Sequence, residues 1–366
     1  MTALIFIATY AVVAIGRVPR LPITRTGAAL VGAALMIVTG AIGPHEALAS
    51  IDWHTIVLLL VMMAVVAPLQ LAGVFSRVVV GVGRRVHHPA ALLGAVAAAS
   101  GLLSAIFVND TICVAFTPLV LDLAAARRHD PIPYLLALAT ASNIGSTATI
   151  VGNPQNMLIG SVSGIGVSRF TGALAPIAVV GLAIDVAILW LLFRRELMRR
   201  PADEAVLDKR AADRAHASFT AANFVRAIDW RLLALFLGLF VVVGAAERAG
   251  IDKRLFGALA PLGVRSIAGL SGTAAALSNL VSNVPAVMLF TPVVPHLPDP
   301  PRAWLALAMS STLAGNLTIL GSIANLIVVE SARRRGVTVS AGAYARAGVP
   351  ITLATIAFGV WWLSAG

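Results

Sequence analysis

The chain has 366 residues, 59% hydrophobic and 12% charged, with a mean hydropathy of +0.92; a soluble domain carries about twice that charged fraction, so an ordinary soluble fold is excluded. The net charge of +11 sits in loop clusters, where it reports membrane orientation and not nucleic-acid binding. Cys113 is the only cysteine, which excludes disulfides and cysteine metal centres.

Apolar runs of about 20 residues recur from end to end, as a bilayer demands of helices. They predict an all-α polytopic membrane protein. Residues 1–50 hold two spans, at about 3–16 and 26–43. The first, Thr2 to Gly16, has no basic residue before it and no small-residue cleavage site after it, so it reads as a span and not as a removable signal peptide. Residues 51–195 follow as one unit: a span at 54–72, an interfacial stretch at 74–88, a polar-centred apolar segment at 91–125, an interrupted span at 133–160 and a final span at 172–193. Residues 196–227, rich in Arg, Asp, Glu and Ala, form a solvated linker. Residues 228–366 repeat the order, at 231–247, 250–262, 266–296, 303–329 and 346–363.

Three collinear matches support the duplication. Ile51-Asp52-Trp53 and Ala72-Gly73 recur as Ile228-Asp229-Trp230 and Ala249-Gly250. LSAIFVNDTICVAFTP (103–118) matches LSNLVSNVPAVMLFTP (277–292). TATIVGNPQN (147–156) matches NLTILGSIAN (316–325), sharing Thr149/Thr318, Gly152/Gly321 and Asn156/Asn325. In copy two the arm from Ala286 to His296 has 11 residues, covering about 16 Å, half of the hydrocarbon thickness. It predicts a re-entrant hairpin. In copy one the flanks Arg84-Arg85 and Arg127-Arg128 suit a hairpin or two tight crossings equally, and the twin favours the hairpin. Each copy then crosses three times, an odd number, and the second copy is inverted. With the linker cytoplasmic, all of the 27 basic residues lie inside except Arg169, Arg248, Lys253, Arg254, Arg265 and Arg302, as the positive-inside rule requires. The expectation is an inverted-topology repeat with about eight full crossings, two re-entrant hairpins and two broken transmembrane helices, in a bacterial inner membrane.

Non-helical backbone survives at membrane depth only where protein or a wet cavity satisfies it. The breaks are therefore the candidate site. The hairpin tips are Asn109-Asp110-Thr111 and Ser282-Asn283-Val284. Asn, Asp and Ser can cap the returning arms, Pro285 suits a first helical turn, and the tips offer oxygens for Na⁺ at Asn109, Asp110, Ser282 and Asn283. Ser278 belongs to the same matched segment. In the broken spans, Gly152 and Gly321 permit the turn and Asn153 or Ser322 can cap. Each new half-helix points its positive dipole end at the cavity, which favours an anionic solute. Thr318, Asn156 and Asn325 complete the set; the two Asn can bind solute or lock the halves together. Asp110 is an ionisable group at membrane depth and a functional candidate by that fact, as a cation ligand or a proton carrier. Asp185, deep in the last span of copy one, reads equally as a proton carrier or a buried hydrogen-bonding group. Asp52-Trp53 and Asp229-Trp230 read as caps with aromatic anchors.

The segments FVNDTICVAFTP (107–118), SNIGSTATIVGNPQN (142–156), LVSNVPAVMLFTP (280–292) and AGNLTILGSIANLIV (314–328) resemble those of the ion transporter superfamily. The resemblance is to its citrate/arsenite permease and Na⁺/H⁺ antiporter group, related to the divalent-anion:sodium symporters. It implies scaffold and transport domains, elevator-type alternating access and a homodimer. In the dicarboxylate branch, paired Ser-Asn-Thr tips bind sodium and carboxylate. Ser282-Asn283 keeps part of that signature, while Val108-Asn109-Asp110 is more similar to the arsenite-permease and antiporter branches. The function expected is a secondary carrier of a small organic or inorganic anion, driven by Na⁺ or H⁺, or else an arsenite effluxer or Na⁺/H⁺ antiporter, with an accessory ATPase in the arsenite case. Partners are the solute and membrane lipid; no cofactor is expected beyond Na⁺. An enzyme is disfavoured, since no HExxH or GxSxG arrangement occurs, and a primary pump too, since no GxxxxGK[ST] loop occurs.

Overall fold

The computed structural model describes residues 1–15, 24–75, 77–78, 81, 86, 88–198, 224–226 and 228–365, and no strand runs among them. Most of the linker at 196–227 lies outside the described residues, as do Gly16, Arg17, Arg20, Arg84 and Arg85. Among the described residues the helices with defined bounds are, in chain order, α1 (Thr2–Ile15), α2 (Arg25–Val38), α3 (Pro44–Ala49), α4 (Trp53–Leu71), α5 (Pro89–Ile106), α6 (Asn109–Ala126), α7 (Ile132–Ser146), α8 (Pro154–Val162), α9 (Val167–Met198), α10 (Trp230–Arg248), α11 (Ile251–Leu259), α12 (Ile267–Val281), α13 (Asn283–Phe290), α14 (Pro300–Leu313), α15 (Ile323–Arg333) and α16 (Ala341–Ala365). Six of these, α4, α5, α6, α9, α10 and α16, are long and apolar enough to cross a membrane. The protein is a multi-pass, all-helical membrane protein.

Local sequence explains most ends. Asp52 caps α4 through His54 N (3.2 Å) and Thr55 Oγ1 (2.5 Å), and Asp229 caps α10 through Leu232 N (3.0 Å). The second span stops at Val38, short of the expected 43, because Gly40 turns the chain at φ +73°; a separate short helix, α3, follows. The last span of copy one runs longer than expected, through Arg194–Met198, since charged side chains extend a helix into water at no cost.

Packing places α7 and α14 at the centre. Every residue of Pro133–Ser146 and of Ala303–Leu313 is buried. Such helices are wrapped in protein on all sides, and their Ala, Ser and Gly content permits close approach. Leu4, Ile7, Val38, Val57, Val61, Val65, Val179 and Leu353 are exposed on the outer helices and form an apolar, lipid-facing belt. Contacts recur in matched pairs: α5 with α7 and α12 with α14; α9 with α7 and α16 with α14; α6 with α15 and α13 with α8.

Candidate functional site

The two chain breaks have one geometry. After α7, Thr149 is extended (φ −136°, ψ 160°), Ile150–Gly152 make a 3-10 turn, and Asn153 caps α8 by accepting from Asn156 N at 2.9 Å. After α14, Thr318 is extended (φ −137°, ψ 160°), Ile319–Gly321 make the same turn, and Ser322 caps α15 by accepting from Ala324 N at 3.2 Å. Pro154 occupies the first helical position, where its missing N–H costs nothing. A Cβ on Gly152 would stand 2.3 Å from Ser146 O, and one on Gly321 would stand 2.9 Å from Gly315 O. Only glycine lets each turn fold back on the helix end.

Breaking a helix orphans carbonyls. Asn156 Nδ2 donates to Ser146 O (3.1 Å) and Thr149 O (2.9 Å). Asn325 Nδ2 donates to Gly315 O (2.7 Å) and Thr318 O (3.1 Å). Both side chains are fully buried. Their Oδ1 atoms then reach across the molecule: Asn143 Nδ2 donates to Asn325 Oδ1 at 3.1 Å, and Thr312 Oγ1 to Asn156 Oδ1 at 3.4 Å. Asn143 and Thr312 occupy equivalent positions of α7 and α14.

Asn143 is the hub. Its Oδ1 accepts from Asn109 Nδ2 (2.9 Å) and Ser322 Oγ (3.1 Å), and its Nδ2 donates to Asn316 Oδ1 (2.8 Å) as well as to Asn325. All four hydrogen-bonding capacities are used. On the other side, Thr312 Oγ1 accepts from Asn153 Nδ2 (3.3 Å) and Gln155 Nε2 (3.1 Å). The Asn283 amide, oriented to donate, meets Ser311 O at 3.1 Å and Gly321 O at 3.2 Å.

The structure thus gathers Asn109, Gly152, Asn153, Asn156, Asn283, Gly321, Ser322 and Asn325. The tips differ in detail from expectation. Val108, not Asn109 or Asp110, is the N-cap of α6, and Asn109 Oδ1 instead accepts from Asp110 N at 3.0 Å. Ser282 separates α12 from α13 at φ +78°, ψ 158° without a side-chain cap bond; Pro285 falls in the first turn of α13 as expected. Thr111 is half-buried in the first turn of α6 with no side-chain bond among the described residues. Thr318 is exposed and donates to Asn279 Oδ1 at 3.2 Å. Ser278 is buried with an unpartnered hydroxyl, and so is its twin Ser104. Asp110 is half-buried, makes no side-chain hydrogen bond among the described residues, and lies within electrostatic reach of Asp229. Asp185 lies outside the network. Among the described residues no group of three or more His, Cys, Asp or Glu could hold a metal ion.

Asn143, Thr312, Gln155, Asn316 and Ser104 were not singled out by sequence. All but Thr312 lie in the matched or motif segments, so position, more than residue type, was the available signal.

The comparisons with known proteins agree with this architecture. A "46 kDa membrane protein" of Mycobacterium leprae is 30% identical, covering 98% of this chain and 97% of that protein. A silicon efflux transporter of Oryza sativa subsp. japonica is 31% identical over 87% of each chain. A transporter named arsB, of Dictyostelium discoideum, is 24% identical over 93% of this chain and 87% of its own. The crystal structure of the YdaH transporter of Alcanivorax borkumensis superimposes with a TM-score of 0.58, covering 100% of this chain and 96% of that one; at 14% identity it speaks for the fold alone. The citrate transporter family profile matches residues 10–299, and the chain belongs to that family of membrane transporters.

Proposed function

We propose that the protein is a secondary active transporter of a small, oxygen-rich anion in a bacterial inner membrane, coupled to Na⁺ or H⁺. The observation that carries the reading is the doubled network: two glycine-hinged breaks, each with a capping Asn or Ser, bound through Asn143 and Thr312 to the facing half. The half-helices α8 and α15 start there, and their N-termini favour negative charge. The twin hydroxyls of Ser104 and Ser278 have no hydrogen-bond partner among the described residues and supply oxygen ligands that suit a Na⁺ near the tips.

The mechanism proposed is elevator-type alternating access between inverted repeats with two re-entrant hairpins. Its support lies in contacts that sort by membrane face. Thr26 Oγ1 donates to Arg231 O (3.1 Å), Arg335 pairs with Asp122 (2.8 Å), and Arg346 donates to Leu192 O (3.4 Å); all six residues belong to the face read as cytoplasmic. Arg248 pairs with Glu46 (2.6 Å) and Trp362 Nε1 donates to Ala173 O (3.1 Å); these four belong to the other. In copy two the returning arm α13 has 8 residues, about 12 Å, which suits a hairpin and not a crossing.

A second reading, efflux of an uncharged hydroxide of the arsenite or silicon type, is favoured by one feature. Among the described residues no Lys or Arg enters the network, whose donors are amides, hydroxyls and backbone N–H groups. The names of the rice and Dictyostelium relatives point the same way.

Counterflow in proteoliposomes, with and without sodium, separates the readings: labelled citrate and phosphate on one side, arsenite and silicic acid on the other. Asn109→Ala, Asp110→Ala and Asn283→Ala are each expected to slow exchange by about tenfold or more, the scale of one hydrogen bond to a charged group, with insertion unchanged. Wild-type exchange in all three variants overturns the site.

A further inference from the structure

One charged side chain of α9 is buried in the helix interior. Asp185 is 0% exposed, and among the described residues no group meets either carboxyl oxygen in hydrogen-bonding geometry. A charge buried without a partner is expensive and, at membrane depth, marks function.

No base is bonded to it among the described residues; the nearest on a packed element is His88, the N-cap of α5, whose ring lies 6.4 Å from that of Trp190, five residues further along α9. α9 packs against α5, α7, α14 and α16. α5 carries no charged residue. The titratable group of α7 is Tyr134, in its first turn and bonded to His129 at 2.9 Å. α14 carries Arg302 at its start, paired with Asp299 at 3.4 Å. α16 carries Arg346, whose guanidinium turns to Leu192 O and the Phe193 ring, 5.6 Å from its centroid. On α9 itself, Arg169 lies at one end and Arg194, Arg195 and Glu196 at the other, the nearer about 13 Å along the axis.

What does face Asp185 is hydroxylic. Thr140 lies beside it, but Thr140 Oγ1 donates to Leu136 O at 2.8 Å. From α16 comes Tyr344, 1% exposed, with an unpartnered hydroxyl. It stands within electrostatic reach of Asp185 and beside Asn325. Asn325 accepts from Asn143, and Asn143 from Asn109. Asn316 Nδ2 donates to Thr140 O at 3.1 Å, tying the same spot to the network a second time. Neighbouring polar groups therefore lead from Asp185 through Tyr344, Asn325 and Asn143 to the hairpin tip.

We propose that Asp185 is a proton-binding site of the transport cycle, separate from the tips and linked to the solute network by Tyr344 and Asn325. The Asp185 carboxylate takes up one proton from the aqueous phase to become the neutral acid and returns it there to become the carboxylate again. Charge moves, no electrons are exchanged, and no bond between heavy atoms changes. The inference rests on the reading of the breaks as the solute site, but its first test does not.

That test is an infrared pH titration of the purified protein without solute. A carboxylic-acid C=O band is expected in the wild type, shifted in Tyr344→Phe and lost in the near-isosteric Asp185→Asn. In proteoliposomes loaded with arsenite or citrate, Asp185→Asn is expected to keep counterflow and to lose accumulation driven by a pH gradient. An unchanged band in Asp185→Asn, or wild-type pH-driven accumulation by that variant, overturns the proposal. Absence of counterflow with either probe in the wild type counts against the solute reading instead, and the infrared titration still decides the role of Asp185.

Discussion

At the scale of single residues, Arg128 (φ +55°) and Ser282 are the non-glycine residues with positive φ among those described, and Ser282 holds a conformation that belongs almost wholly to glycine. At φ +78°, ψ 158°, a residue with a Cβ costs of order 1–3 kcal/mol, and such strain gathers where function requires it. The side chain makes no cap bond in return. Ser282→Gly is therefore expected to raise stability by about 1 kcal/mol while lowering transport, read by thermal denaturation and counterflow on one preparation. A variant that is both less stable and fully active sinks the idea that strain at this tip serves transport. Sequence made this tip legible because Ser-Asn-Val-Pro interrupts an oily run. Gly152, Gly321, Asn153 and Ser322 were legible for the same reason, each having a backbone task that few residue types perform. Asn143 was not. It sits inside an unbroken helix between Ser142 and Ile144, its equivalent is Thr312 and not another Asn, and the atoms it binds belong to Asn316, Ser322 and Asn325. A contact across more than 170 positions leaves no trace in local pattern.

At the scale of elements, the packing that aims each break depends on how closely the helix before it, α5 or α12, approaches the helix that leads into the break. In copy one the approach is set by a pair of glycines: a Cβ on Gly145 would stand 2.0 Å from Gly101 O. Backbone cannot yield as a side-chain tip can, so α5 and α7 would have to part. Gly145→Ala is expected to cost about 1–3 kcal/mol, the usual range for overpacking. Gly172→Ala on α9, where nothing lies within 4 Å of the added atom, is expected to leave stability unchanged or slightly raised, since alanine is the better helix former. Equal melting temperatures for the two variants would remove the close approach from the account. Element order was readable from hydropathy and from the repeated segments, since a bilayer permits few spanning structures. Ends were less so. α3 escaped notice because six residues, PHEALA, carry too little hydropathy to stand out, although Pro44 and Glu46 are ordinary first-turn residues. α5 and α6, at 18 residues each, are as long as true spans, so length alone favours the proposed hairpin over a crossing only in the second half of the chain.

At the scale of the whole molecule, everything proposed requires that the two halves face opposite ways. α4 and α10 are the matched first spans, each capped by an Asp at its start and packed against one another. Glu46, just before α4, pairs with Arg248 at the last residue of α10. Thr26, at the start of α2, bonds Arg231 at the start of α10. The beginnings of α4 and α10 are thus separated by the 19-residue length of α10, about 28 Å, close to the thickness of a hydrocarbon core. His54 and Arg231 are exposed in the first turns of these two helices, whereas Cys113 is fully buried and silent to a bulky reagent. A membrane-impermeant maleimide is expected to label His54→Cys from one side of intact cells and Arg231→Cys only after the membrane is opened. Substitution of these exposed sites leaves both Asp caps in place, so a failure to label cannot be charged to unfolding of the helix start. If both sites react from the same side, the odd number of crossings per copy is wrong, and the paired breaks can no longer present equivalent faces to a solute from the two sides of the membrane in turn.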